Sequence, residues 1–264
     1  MRRDVLDLRA FYATPLGRAA RLMLARKVEE AWGDTRGLDV LGLGYATPFL
    51  DAARQNARRV VAAMPATQGV EVWPHGGRNQ ACLVEETALP LANAMFDRVL
   101  AVHALEEADD PAAVLAEIGR VMAPTGRLIV AVASRDGVWA GAESTPFGHG
   151  RPFSRSQLER LIRDADLEPA GWTRALYAPP IAMAAGWAER RLSPNTLESY
   201  QRDLLFLLHA TEESGKALAD VVASDVRDAI VMAPARKAPV QKAPARIADG
   251  SHLDAPRSEP SLGS

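Results

Sequence analysis

Cysteine is nearly absent from this chain: Cys82 is the single one in 264 residues. That excludes an intrachain disulfide framework, and its place in the apolar run Ala81-Cys82-Leu83-Val84 reads as a buried, inert thiol. No apolar run approaches the roughly 20 residues that a bilayer span needs. The start, Met1-Arg2-Arg3-Asp4, lacks the apolar stretch of a secretory signal. Charge of one sign is lacking too, with 31 basic against 33 acidic residues and a net charge of -2. Nothing overall draws such a chain to nucleic acid or to an anionic membrane. Its five histidines are spread without ligand spacing, so no metal site is expected. A reducing, cytoplasmic setting is the expectation.

What is present is alternation. Thr14 and Pro15 open a helix that carries Leu16, Ala20, Met23, Leu24 and Val28 on one face until Gly33. It reads either as a packing helix or as a lid. From Leu38 short apolar runs alternate with amphipathic stretches. Strands are predicted at Leu38 to Leu43, Val60 to Met64, Ala81 to Val84, Arg98 to Val102 and Arg127 to Ala133. Helices are predicted from Thr47-Pro48 to Arg59 and from Asp110-Pro111 to Met122. Such alternation implies an α/β doubly wound, mostly parallel sheet, whose ligands sit at the carboxyl ends of the strands. Ser134 to Phe153 reads as a long Gly, Ser and Pro loop. Ser154 caps a helix to Asp166, and Leu167 to Arg174 reads as a further strand.

Leu41-Gly42-Leu43-Gly44-Tyr45-Ala46 lies where a strand meets a helix, a place where glycines let backbone amides approach a ligand. At matching intervals follow Glu85-Glu86-Thr87-Ala88-Leu89-Pro90, then Phe96-Asp97-Arg98-Val99-Leu100, then Leu115 to Met122 with Pro124-Thr125-Gly126. Over residues 36–133 this series resembles the class I methyltransferases, particularly methyltransferase type 11. The resemblance implies a Rossmann-like fold and S-adenosyl-L-methionine as cofactor. Gly42, Leu43, Gly44, Tyr45 and Ala46 would line its methionine and ribose portion, with Met64 at the end of the second strand. Glu85 would accept from the adenine amino group, with Glu86, Thr87 and Ala88 beside it, and His103 would face the sulfonium. The chain departs from the family at Val40 and Met64, where acids are usual, and at Ala46, the third glycine position. Four further runs, among them Tyr45-Ala46-Thr47-Pro48 and Thr145-Pro146-Phe147-Gly148-His149-Gly150-Arg151-Pro152, resemble a bacterial subgroup in which this turn is the normal form.

The chemistry expected is methyl transfer to a small-molecule or protein acceptor. His103 and His149 are the candidate bases, because imidazole titrates near neutrality, and Arg151 is a candidate anchor for an acidic group. The plainer readings are a satisfied strand-end histidine for His103 and loop-fixing hydrogen bonds for His149 and Arg151. Two alternatives to catalysis stand beside this one. One is a degenerate binding protein; the other is a DNA-associated fusion. The second rests on Leu192-Ser193-Pro194-Asn195-Thr196-Leu197 and Asp225-Val226-Arg227, which resemble part of the core-binding domain of Xer-type tyrosine recombinases over residues 188–230. Arg190, Arg191, Arg202 and Arg227 are its candidate DNA contacts. No recombinase catalytic domain follows. The expected organisation is an N-terminal helical segment (1–35), a methyltransferase-like domain (36–180), a helical appendage (186–232) and a disordered tail (233–264). Class I methyltransferases end on an antiparallel strand beside the fifth, and Ala229 to Ala233 is the candidate for it.

Overall fold

A computed structural model describes residues 3–142, 145–176 and 230–237 of the protein. The chain begins with a helix that the sequence reading passed over. Asp4 caps α1 (Val5–Ala13), its carboxylate accepting the Leu6 amide at 2.7 Å, and Val5, Leu8 and Tyr12 are buried along one side. Thr14 closes α1 and opens α2 (Pro15–Trp32). Its hydroxyl donates to the Phe11 carbonyl and accepts the Gly17 amide. The elbow is so tight that a Cβ on Gly17 would lie 2.0 Å from the Phe11 carbonyl oxygen.

The sheet follows: β1 (Asp39–Gly44), β2 (Arg59–Pro65), β3 (Ala81–Val84), β4 (Phe96–Val102) and β5 (Met122–Ala133). All five are parallel, and the order along the sheet is β3-β2-β1-β4-β5. Every residue of β1 is buried, as expected of a strand covered on both faces. One face packs on α1 and α2 through Leu24, Trp32, Val40 and Leu100. The other packs on α4 (Pro111–Val121) and α5 (Arg155–Asp164) through Leu41, Val99, Leu115 and Ile162.

Several boundaries differ from the expectation. The helix expected from Thr47 to Arg59 is a 3-10 turn, Thr47–Phe49, followed by the short α3 (Asp51–Asn56). The fifth strand starts directly after α4, so Pro124-Thr125-Gly126 lies within β5, opposite an irregularity of register between Phe96 and Arg98. The strand expected over Leu167 to Arg174 divides into β6 (Leu167–Pro169) and β7 (Thr173–Ala175).

The largest correction concerns the C-terminal third. β8 (Ile230–Lys237) lies antiparallel between β5 and β6 and also pairs with β7. The final strand is therefore supplied where Ala229 to Ala233 suggested, and it runs four residues further. Residues 233–237, expected in a tail, belong to the sheet. The recombinase-like segment, read over residues 188–230, starts after β7 and reaches the first residue of β8, so the sheet domain continues beyond it in sequence. The readings made on residues 177–229, including the DNA contacts, lie outside the described residues.

Candidate functional site

Strand order reverses at β1, which has β2 on one side and β4 on the other, so a crevice forms where their carboxyl ends diverge. The turn leaving β1 is fixed by the chain itself. The Tyr45 amide donates to the Val102 carbonyl at 2.9 Å. Gly44 has φ +78, and a Cβ there would lie 2.2 Å from that same Val102 oxygen. A Cβ on Gly42 would meet the Leu50 side chain at 2.6 Å. Both glycines are thus required by internal contacts. Leu43 faces the α4 side of the sheet, and Ala46 and Met64 are buried on the α1 side.

His103 leaves β4 with φ +50, a conformation unusual for a residue with a Cβ. Gln68 donates from Nε2 to its carbonyl at 3.0 Å. Its ring is fully buried. Tyr12 of α1 lies 2.8 Å from Nε2, and Glu106 lies 3.4 Å from Nδ1. Burial, then the charges of Tyr45 and Glu106, push the Tyr12 hydroxyl well above its ordinary value, so it stays protonated. A protonated phenol at Nε2 and a carboxylate near Nδ1 together favour the tautomer with its hydrogen on Nδ1. The Glu106 contact is close enough for charge but not aligned as a hydrogen bond. Among the described residues Nδ1, both Glu106 carboxylate oxygens and Gln68 Oε1 are buried without a hydrogen-bond partner.

Aromatic rings seal this group. Tyr12 stacks on Tyr45 with ring centres 5.8 Å apart, and Phe147 covers His103 at 4.8 Å. Burial, followed by the neighbouring Glu71 charge, also raises the Tyr45 hydroxyl. The other expected site residues lie apart from the imidazole. Glu85 is exposed at the end of β3 and accepts from the Thr87 hydroxyl at 3.1 Å, with Thr87 and Ala88 exposed and Glu86 buried. Glu117 and Arg120 of α4 grip the same loop: Glu117 accepts the Leu89 amide, and Arg120 donates to the Leu89 and Leu91 carbonyls. Arg151 donates to the Ala108 and Asp109 carbonyls, and its amide donates to the Glu106 backbone carbonyl, so it ties the 145–153 loop to the segment after β4. His149 contacts the Arg3 guanidinium. The loop-fixing reading of these two residues is the one their contacts match.

Beside the crevice a cleft of about 480 Å³ opens between α1, α2, α3 and the loop that leaves β2. Its charged lining is Arg9, Arg18, Arg21 and Arg54 against Asp51 and Glu71, with Tyr12 and Tyr45 as the wall toward His103. Sequence reasoning missed Tyr12, Gln68, Glu71 and Glu106. The Val5, Leu8, Tyr12 spacing behind Asp4 was a helical signal, and Glu106 stands three residues after His103. Nothing in the sequence marks Gln68 or Glu71. No group of three or more metal-ligating side chains, and no helix long and apolar enough to cross a membrane, occurs among the described residues.

A parallel sheet in this order, closed by one antiparallel strand between β5 and β6, is the class I methyltransferase fold. Residues 30–130 match the family described as a methyltransferase domain, so the resemblance to methyltransferase type 11 read from the motifs holds there. Residues 186–245 match the family described as phage integrase, N-terminal SAM-like domain, a helical-domain name unrelated to the methyl donor. No curated protein matches the chain. Among solved structures, a methyltransferase of Thermotoga maritima, dependent on S-adenosylmethionine, is 16% identical and has a TM-score of 0.52. That alignment covers 88% of this chain and 96% of the other. A Haloferax volcanii protein solved with a methyltransferase activator has a TM-score of 0.57 at 15% identity, over 89% and 100% of the two chains. The cyclase SpnF has a TM-score of 0.51 at 21% identity, over 81% and 80%. That a cyclase shares the fold is a reminder that chemistry must be argued from the site.

Proposed function

We propose that the domain transfers a methyl group from S-adenosylmethionine to an acceptor at the carboxyl ends of β1 and β4, with His103 as the base. The observation that carries this reading is the imidazole held between Tyr12 and Glu106 at the point where strand order reverses. Four buried polar atoms there, on Gln68, His103 and Glu106, lack hydrogen-bond partners among the described residues. Buried polar atoms are costly unless something satisfies them, and the three oxygens among these fit a polar ligand carrying donors. The room for it opens when the Tyr12 ring swings away with α1. S-adenosylmethionine supplies, when bound, a methyl group activated by a sulfonium.

The protein's own part is positioning and proton transfer. Once Tyr12 withdraws, Nε2 of His103 is free to take the acceptor's proton. Glu106 behind Nδ1 then stabilises the imidazolium, the carboxylate gaining a positive partner that it lacks while the ring is neutral. Gln68 holds the His103 backbone, and Phe147 covers the ring against water. Acids at the strand ends, usual in the family, are replaced by Val40 and Met64, which leaves Glu85, Glu86, Thr87 and Ala88 as the proposed adenine side. His149 and Arg151 shape the loop above. The acceptor is a small molecule or a protein side chain.

A second reading, a donor-free binding protein, is favoured by one observation: Tyr12, Tyr45 and Leu50 fill space where a ligand would lie. Calorimetric titration of S-adenosylhomocysteine into the whole chain separates the two. Methyl transfer requires binding that tightens in Tyr12→Ala by about 5-fold, the equivalent of roughly one hydrogen bond released. No heat from either protein would leave the donor-free reading in possession.

A further inference from the structure

The cleft beside the crevice has an unbalanced charge. Arg9 lies 3.7 Å from Glu71, and Arg21 lies 3.6 Å from Asp51, so two of its four arginines have carboxylate partners within the lining. Among the described residues the Arg18 guanidinium donates only to the Ala13 carbonyl, which leaves its charge uncompensated. The Arg54 guanidinium has no hydrogen bond or ion pair among the described residues, its backbone amide alone being bonded, to the Leu50 carbonyl. Two uncompensated guanidinium groups therefore face a concavity of a size suited to a small molecule. Guanidinium forks match the geometry of phosphate and carboxylate oxygens, and concave walls concentrate the field between them. The buried rings of Tyr45 and Trp73 supply the apolar part of the lining.

The same cleft touches the base. Tyr12 lines it and also hydrogen-bonds His103 Nε2, so one side chain separates the arginines from the imidazole. Resting on the methyl-transfer reading, we propose that this cleft takes the oxyanion of a small aromatic acid, a phosphate or carboxylate, and thereby holds the methyl acceptor. Arg18 and Arg54 grip the anion, the ring lies toward Tyr45 and Trp73, and the reacting atom points to Tyr12. Withdrawal of Tyr12 then joins the acceptor to the base.

Phenyl phosphate, benzoate and phenol, titrated calorimetrically into the whole chain, test this. Phenyl phosphate or benzoate should bind and phenol should not; whichever anion binds tighter identifies the oxyacid. Arg18→Gln and Arg54→Gln should each weaken binding about 5-fold, as expected for partly exposed charge contacts. Arg36→Gln, which removes an equal charge beside Asp34 and away from the cleft, should leave it unchanged. Equal binding of phenol, or binding indifferent to Arg18 and Arg54, overturns the proposal. S-adenosylhomocysteine titrated in parallel keeps the two readings apart. Its binding without an arginine-dependent anion sinks only the cleft, whereas an arginine-dependent anion without it sinks methyl transfer and the acceptor role with it, leaving an anion site.

Discussion

The two ends of the central strands are built on opposite rules. At the amino end, Asp39 of β1 accepts two hydrogen bonds from the Arg58 guanidinium, at 3.0 and 2.7 Å, and its amide donates to the Asp97 carboxylate at 2.9 Å. Both carboxylate oxygens of Asp39 are satisfied, and hydrogen bonding by Arg58 holds its carboxyl below the usual range. At the carboxyl end Glu106 is buried with neither oxygen hydrogen-bonded. One end spends its polar groups on the fold; the other withholds them. Unsatisfied groups persist where a site needs them and the surrounding packing is strong enough to hold them.

Substitutions should sharpen or break that contrast. The largest effect is expected at Gly44→Ala, which puts a Cβ against the Val102 carbonyl at positive φ. A loss of about 3 kcal/mol or more in urea denaturation is expected, because backbone cannot step aside. Asp39→Asn should cost about 1–2 kcal/mol at neutral pH by loss of a bidentate pair whose carboxylate is buried while the Arg58 guanidinium is largely exposed. Its pH dependence has a definite sign. Asp39 is depressed in the folded state, so its contribution is full above the unfolded carboxylate value and is lost as pH falls through the folded one. In Asp39→Asn, melting temperature should therefore fall less steeply with acid than in the wild type. Arg151→Ala comes next, at about 1–2 kcal/mol, for donors withdrawn from two backbone carbonyls. The smallest is Glu106→Gln, the same carboxylate-to-amide change made at the other end. Stability should stay within about 1 kcal/mol of wild type or rise, since a buried charge without hydrogen bonds disappears. A loss there as large as that of Asp39→Asn would dissolve the contrast between the two ends.

Much of the fold was legible because β1, β4 and β5 are buried apolar runs with turn residues between them, and their spacing carries the alternation. α1 was not read, since Asp7 and Arg9 break up its short apolar run, and its three buried residues gain meaning only against Gln68 and His103. The split of Leu167 to Arg174 into two strands depends on a partner more than 50 residues further along. In the site, His103 could be named from its place after a strand. Gly42 and Gly44 were read as ligand contacts because a strand-end glycine looks the same whether ligand or Leu50 fills the space above it. The cleft arginines come from α1, α2 and α3, and no sequence interval brings them together.

The place of β8 sets an order on how the molecule is made. Its residue Ala235 pairs with Leu128, more than a hundred positions earlier, and among the described residues no strand between them takes that place. Until the ribosome has released Lys237, the open edges of β5 and β6 have nothing to pair with, and contacts so distant along the chain close slowly. The edges stay available to a stray strand for that interval, and completion of the sheet waits on a segment made more than a hundred residues after β5.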